Sequence, residues 1–253
     1  WVGLGGAMLS ARTPANQLLN FGAEEVAWAR EKRIPFIEGD GILVSAYVYP
    51  RLGRLDEGRE ALRRTRAIYA EVGMAENYAE TFRTGAQLEM LAGDPAAAER
   101  ELREALRLYA EMGDKWWSAE LKSRLAEAVH AQGRREEALD LLETAEAEGV
   151  PGNYRYEVAW RTAQAKLLAA DGKTTEASQL AREATDILAS TGNIAMNADA
   201  LVELADVLAA DAQDAEAAAT LERAAALYDE KEYVWCADQA RGRLEALPTT
   251  PHR

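Results

Sequence analysis

The stretch KSRLAEAVHAQGRREEALDLLETA, residues 122–145, reads as two amphipathic helices that meet at a tight turn on Gly133. Three small residues, Ala126, Ala138 and Ala145, fall where the two helices must approach each other. A methyl side chain lets two antiparallel backbones come close, whereas a leucine at these positions would overpack the interface. Leucines at helical spacing flank the alanines and complete an apolar face. The stretch therefore predicts a closely packed helical hairpin.

The same pattern recurs along the chain at intervals of about 40 residues. Its turns centre on Gly53, Gly93, Gly133, Gly172 and Ala212. Seven positions before each turn stands Ala46, Ala86, Ala126, Ala165 or Ala205. Five positions after each turn stands Gly58, Ala98, Ala138, Ala177 or Ala217, and seven positions further on stands Thr65, Ala105, Ala145, Ala184 or Ala224. Three columns of small residues over five copies indicate a repeat protein.

Other positions of the repeat have equally specific expectations. A second set of glycines closes each helix pair: Gly73, Gly113, Gly149 and Gly192. In the turn at Gly93, Asp94 is suited to cap the next helix, and Pro95 is suited to its first turn. Large residues near the ends of the second helices should fill the gap between neighbouring pairs: Tyr69, Tyr109, Leu188 and Tyr228.

Composition and charge narrow the class of partner. The formal net charge is −14 and the isoelectric point is about 4.8, which argue against binding a nucleic acid, since a phosphate backbone requires a basic surface. No apolar run approaches the ~20 residues of a membrane span, so no membrane insertion is expected. Cys236 is the single cysteine, which favours a reducing, cytoplasmic compartment. The chain begins with Trp1 rather than Met, which suggests a fragment of a longer protein.

Small residues in these three columns, with a glycine turn between them, resemble the tetratricopeptide repeat (TPR). The resemblance covers residues 40–247 and departs only in length, because the usual repeat has about 34 residues. HEAT and armadillo repeats have the longer period but lack a glycine turn with alanines at these offsets. The resemblance implies an all-α fold, a right-handed α-solenoid of TPR-like helix-turn-helix pairs with a period of about 40 residues.

The chain is then expected to form one continuous array of the following segments. Residues 1–35 form a degenerate first helix pair, residues 36–232 form five TPR-like pairs, residues 233–247 form a C-terminal capping helix, and residues 248–253 form a disordered tail. One irregularity follows residue 145, where the second helix of its pair is about one turn short and a loop at 149–153 follows it. We expect a longer next helix to compensate. This irregularity is either a local bend or a partner site.

No group of residues supports catalysis, a metal site or a cofactor. The run Gly3–Gly6 lacks the Lys-Ser/Thr and the preceding strand of a phosphate loop. His130 and His252 are the only histidines, too few for a metal site. Cys236 has no activating neighbour in the sequence, and the many carboxylates read as solvated helix faces. The expected protein is therefore not an enzyme.

Function is then expected on the concave face, which the first helix of each pair lines in stacked repeats. Positions offset by one and three residues from the alanine column, and one turn beyond, predict a partner-binding groove. Its residues are Leu43, Tyr47, Arg83, Gln87, Met90, Ser123, Glu127, His130, Thr162, Lys166, Val202 and Asp206. Their mixed polarity suits a protein or peptide segment. A nearby aromatic cluster (Trp116, Trp117, Tyr156 and Trp160) serves either packing or binding.

A narrower resemblance points to a class of parent protein. Residues 92–147 (AGDPAAAERELREALRLYAEMGDKWWSAELKSRLAEAVHAQGRREEALDLLETAEA) and residues 201–208 look like the C-terminal repeats of bacterial signalling proteins. In those proteins a nucleotide cyclase or transcription-activator domain precedes an AAA-type ATPase. The resemblance implies a regulatory scaffold that binds a partner segment or another domain of its own chain. The alternative is a small-molecule sensor of an ATPase-coupled regulator.

Overall fold

The computed structural model of the protein describes residues 4–248, which contain thirteen α-helices and no β-strand. The helices are α1 Leu4–Ser10, α2 Ala15–Lys32, α3 Pro35–Arg51, α4 Leu55–Val72, α5 Ala75–Leu91, α6 Pro95–Glu111, α7 Ser118–His130, α8 Arg135–Glu148, α9 Tyr154–Ala170, α10 Thr174–Ala189, α11 Ile194–Ala210, α12 Asp214–Glu230 and α13 Val234–Ala246. Residues 1–3, where the predicted first helix begins, and 249–253 of the predicted tail lie outside the described residues.

Consecutive helices pack as antiparallel pairs, and the small residues lie at their contacts. Ala126, Ala138 and Ala145 are all completely buried between α7 and α8 and their neighbours. The corresponding small residues of the other four copies are buried as well. The column assignment is therefore confirmed, and the all-α solenoid predicted from it is the observed architecture.

The turns follow the expected backbone chemistry. Gly133 has a φ of 81°, the left-handed conformation that glycine adopts without strain. Ala212, which replaces glycine in the last copy, keeps the same conformation with a φ of 56°. The Asp94 carboxylate accepts a hydrogen bond from the Ala97 amide at 2.8 Å, as an N-cap of α6 that begins with Pro95. The predicted cap is therefore confirmed.

The array is irregular after α8, which has only 14 residues. The expected compensation by a longer next helix is wrong, because α9 has 17 residues, the same as α5 and α11. The chain instead forms a loop at 149–153, and α9, besides pairing with α10, packs more extensively against α7 than against α8. Gly149 does not adopt a positive φ; its Cα lies against the Tyr156 ring, so that a side chain at this position would require the ring to move. The positive φ falls on Gly152 instead.

The two ends of the array contact each other. One hydrophobic cluster joins Ala15 and Leu18 of α2 and Val44 of α3 to buried side chains of α11–α13, including Cys236. The Ala15 amide donates a hydrogen bond to the Lys231 carbonyl at 2.8 Å. The solenoid therefore closes on itself, and its concave face becomes the wall of a central cavity. Within residues 4–248 no helix is long and apolar enough to cross a membrane.

Candidate functional site

The central cavity has a volume of about 620 Å³ and is lined mainly by α5, α7, α9, α11 and α13. These are alternate helices of the array, as expected for a concave face. Eight of the predicted groove residues line this cavity: Gln87, Met90, Glu127, His130, Thr162, Lys166, Val202 and Asp206. Alternate helices bring them together because each pair places its first helix on the inside of the superhelix.

The other four predicted residues do not line the cavity. Ser123 is completely buried, and its hydroxyl donates to the Ala119 carbonyl at 2.8 Å. The expectation that Ser123 faces the groove is therefore wrong, because helix packing covers this side of α7. Leu43 packs on the cluster around Ile42 and Ala46. Tyr47 and Arg83 belong to a polar network beside the cavity.

That network connects α3, α5 and α7. The Tyr47 hydroxyl donates to the Glu80 carboxylate at 2.7 Å and accepts a hydrogen bond from the Thr84 hydroxyl at 2.9 Å. Arg83 pairs with Glu80 and lies 3.7 Å from the Glu120 carboxylate. These side chains form hydrogen bonds and ion pairs with one another. The network therefore holds three neighbouring inner helices at a fixed spacing.

Glu120 is the buried centre of this network, since its side chain is completely inaccessible to solvent. The Arg124 Nε donates to it at 2.8 Å. Burial alone would raise the pKa of Glu120, but the cations of Arg124 and Arg83 outweigh burial and hold this pKa below its ordinary value. Glu120 is therefore charged at neutral pH. Sequence inspection missed it because many glutamates occupy similar helical positions.

At the centre of the cavity, one lysine forms ion pairs with two glutamates. The Lys166 Nζ lies 2.5 Å from a Glu127 carboxylate oxygen and 2.6 Å from a Glu203 carboxylate oxygen. The three side chains come from α7, α9 and α11, and each is between 19% and 30% exposed. Burial raises the pKa of Glu203, with the neighbouring Glu127 carboxylate adding to the effect and Lys166 opposing it. This group, which we call the central triad, places two carboxylates on one ammonium and carries one excess negative charge when both carboxylates are ionised.

Further carboxylates on α11 face the cavity beside the central triad. Asp199 is bound by Arg51 at 3.0 Å and by the Tyr228 hydroxyl at 2.7 Å. Asp206 pairs with Arg243 of α13 at 2.7 Å. Burial raises the pKa of Asp206, although Arg243 opposes the shift. The α11 wall of the cavity therefore carries three carboxylates, of which Asp199 and Asp206 are each paired with an arginine, and α13 contributes to the rim.

His130 and Cys236 show no activated chemistry. His130 lines the cavity, and burial, followed by the Lys166 cation, lowers its pKa, so the imidazole is neutral at neutral pH. Burial raises the pKa of the Cys236 thiol to about 12. A buried thiol of this pKa is a poor nucleophile. Within residues 4–248 no group of three or more His, Cys, Asp or Glu side chains is arranged to hold a metal ion.

Three of the four clustered aromatic residues pack within the array. Trp117 lies 6.1 Å from the Tyr109 ring and beneath the Arg83 guanidinium. Tyr156 covers Gly149, and Trp160 packs against the hydrophobic cluster around α7. Trp116 is 50% exposed, in a turn where its amide donates to Asp114. The packing interpretation therefore holds for the first three, while Trp116 remains available for contact.

Several lining residues were not predicted from the sequence: Met196, Asp199, Glu203, Val207, Trp235, Gln239 and Arg243. Asp199, Glu203 and Val207 of α11 lie within one turn of Val202 or Asp206, so the helical period could have predicted them, whereas Met196 lies almost two turns before Val202. Those on α13 had no such signal. The α13 helix was interpreted as a terminal cap, and only the closure of the array shows that it lines the cavity.

No protein-family model matches this chain, and no curated protein matches it. Among solved structures, it is similar to BtubC (BKLC) from P. vanneervenii, with 18% identity and a TM-score of 0.57 over 94% of this chain and 95% of that chain. It is also similar to a signal transduction ATPase with numerous domains (STAND) that carries a tetratricopeptide repeat sensor, from Pyrococcus horikoshii. There the identity is 16% and the TM-score 0.50, over 84% of this chain and 36% of that one. These similarities concern the fold, and they identify it as a TPR-like repeat array.

Proposed function

We propose that this chain is a non-catalytic interaction module whose central cavity binds a segment of a partner protein, or of another domain of a longer parent chain. The observation that carries the proposal is the placement of polar and apolar side chains from five inner helices around one cavity of about 620 Å³. Mixed linings of this kind suit peptide segments, which present backbone amides and side chains together.

The cavity volume supports a short segment rather than a folded partner. Ligand sites commonly occupy ~300–1,000 Å³, enough for a few ordered residues. The closed ends of the array and the paired charges along its inner helices support a largely preformed site. The free, buried thiol of Cys236 is consistent with a reducing, cytoplasmic compartment, and we include in the proposal that the parent chain is a bacterial signalling protein.

A second candidate is small-molecule sensing, and the same cavity volume favours it. The STAND ATPase to which the chain is similar is described as having a tetratricopeptide repeat sensor. For this chain a sensing role predicts a saturable rise in melting temperature with one compound of a metabolite panel, because a ligand that binds only the folded state stabilises it. A flat response across the panel would count against sensing.

The test of the segment-binding function is selection of peptides from a random phage-displayed library on the purified protein. Selected peptides are then measured against Thr162→Trp, which fills the cavity wall, and against Gln179→Trp on the exposed outer face of α10. We expect Thr162→Trp to weaken binding by at least about tenfold and Gln179→Trp to leave it unchanged. Equal affinity in the two variants would show that the peptides bind elsewhere.

A further inference from the structure

The charges of the central triad indicate the chemistry of the cavity's occupant. The central triad places two carboxylates, Glu127 and Glu203, on one ammonium group, that of Lys166. A lysine ammonium balances only one of them. The second carboxylate is held in a half-buried site where the field of a like charge and the loss of water both disfavour ionisation. In the free protein, ionised Glu203 therefore has no positive charge of its own to balance it.

The neighbouring cations do not supply this positive charge, because each is paired with another group. Arg124 is engaged by the completely buried Glu120, and Arg243 by Asp206. Arg51 is engaged by Asp199 and lies beneath the cavity wall rather than in it. His130 is neutral at neutral pH. Arg124 also helps to lower the pKa of Glu127, but among the described residues of the cavity wall no cation other than Lys166 pairs with Glu203.

The remainder of the wall suits the stem of a long basic side chain. Apolar lining is provided by Met90, Met196, Val202, Val207 and Trp235. Lysine and arginine side chains combine an apolar stem with a charged head, so they fit apolar walls that end at a carboxylate. The net charge of −14 adds a long-range attraction for a basic segment.

We propose, building on the segment-binding function above, that the central cavity recognises a peptide segment by a lysine or arginine side chain that inserts beside Glu203 and completes the charge balance of the central triad. The inserted cation and Lys166 then neutralise the two carboxylates together. Specificity for a basic residue follows because a neutral side chain in this place leaves Glu203 desolvated and without a counter-charge.

The test uses four degenerate nonapeptide libraries that differ only at the central position, which is arginine, lysine, citrulline or glutamate. Citrulline has nearly the shape of arginine without its charge. Fluorescence polarisation on the purified protein is expected to give binding of the arginine and lysine libraries at least about tenfold tighter than that of the citrulline library. The glutamate library is expected to bind weakest of all.

Two variants of the triad have opposite expected effects. Glu203→Gln makes the triad neutral and is expected to abolish the preference for arginine over citrulline. Lys166→Gln leaves two carboxylates and is expected to increase that preference. Glu222→Gln, on the exposed surface of α12, removes the same charge and is expected to leave the preference unchanged. Circular dichroism confirms that each variant is folded before it is measured.

The outcomes separate this inference from the function on which it rests. Equal binding of all four libraries, lost in Thr162→Trp, would overturn recognition of a basic residue and retain segment binding. No binding of any library would overturn both. Binding of free arginine or spermidine as tight as that of the peptides would overturn the peptide as occupant. A preference for arginine that persists in Glu203→Gln would remove the triad from recognition.

Discussion

The guanidinium of Arg51 lies 3.0 Å from the carboxylate of Asp199, although 148 positions separate the two residues in the sequence. Arg51 ends α3, and Asp199 lies in the first half of α11. The Arg51 side chain is only 6% exposed, and its guanidinium also lies 5.6 Å from the centre of the Tyr233 ring. This ion pair connects α3, near the beginning of the array, with α11, near its end. The wall of the central cavity is therefore continuous around it.

Asp199→Asn is therefore expected to lower the free energy of unfolding by about 3 kcal/mol or more, because it leaves a buried guanidinium without a counter-charge. Asp186→Asn, on the exposed face of α10, is the matched control and is expected to change it by less than about 0.5 kcal/mol. Denaturant unfolding followed by circular dichroism measures both. Equal stability of the two variants would mean that the closure contributes nothing to stability.

Lys231 makes a second closing contact. Its side chain is completely buried, and its ammonium donates to the carbonyls of Leu9 and Ala11 at 3.0 and 2.7 Å, at the end of α1. Burial, with a smaller contribution from the Arg51 cation, lowers the pKa of Lys231 to about 8. An unfolded lysine has a pKa of about 10.4, so between these values the unfolded chain binds more protons than the folded one.

The free energy of unfolding is consequently expected to rise with pH across this window, relative to a Lys231→Met variant, by at most about 3 kcal/mol. Below about pH 8 both folded and unfolded lysines are protonated, and the difference between the two proteins is constant. Denaturant unfolding of both proteins at about pH 7.5 and about pH 9.5 measures the change. A difference that stays constant over this interval contradicts the shifted pKa.

The alanine column allows a direct test of helix packing. Ala126→Leu adds three carbons at a completely buried position and is expected to lower the free energy of unfolding by about 1–3 kcal/mol through overpacking. Glu136→Leu, at an exposed position in the first turn of α8, is expected to have a much smaller effect. Thermal unfolding compares them, and comparable melting temperatures would refute the column assignment.

Replacing glycine by alanine is expected to have opposite effects on stability at Gly149 and at Gly242. Gly149→Ala is expected to destabilise the protein, because the new methyl group would occupy the space of the Tyr156 ring. Gly242→Ala, inside α13 with open space around its Cα, is expected to stabilise it by about 0.5–1 kcal/mol, since glycine is a poor helix former. Melting temperatures that move in the same direction would show that the Tyr156 contact is loose.

Much of the inner wall was predictable because each helix pair repeats the same local geometry. An offset from the alanine column correctly predicted that Gln87, Glu127 and Lys166 line the cavity. The position three residues before the column alanine failed for Ser123, because burial depends on how closely the neighbouring helices pack and not only on the position within one helix. Whether these residues bind a partner stays a prediction.

The period, the glycine turns and the alanine columns determined the fold from the sequence alone. These features describe contacts between neighbouring helices, and every copy of the repeat reinforces them. The tertiary structure alone decided that Arg51 meets Asp199, that Lys231 contacts the end of α1, and that Glu127 and Glu203 share Lys166. Such contacts depend on small rotations that accumulate from pair to pair, including the change of packing after α8. No single repeat encodes that sum.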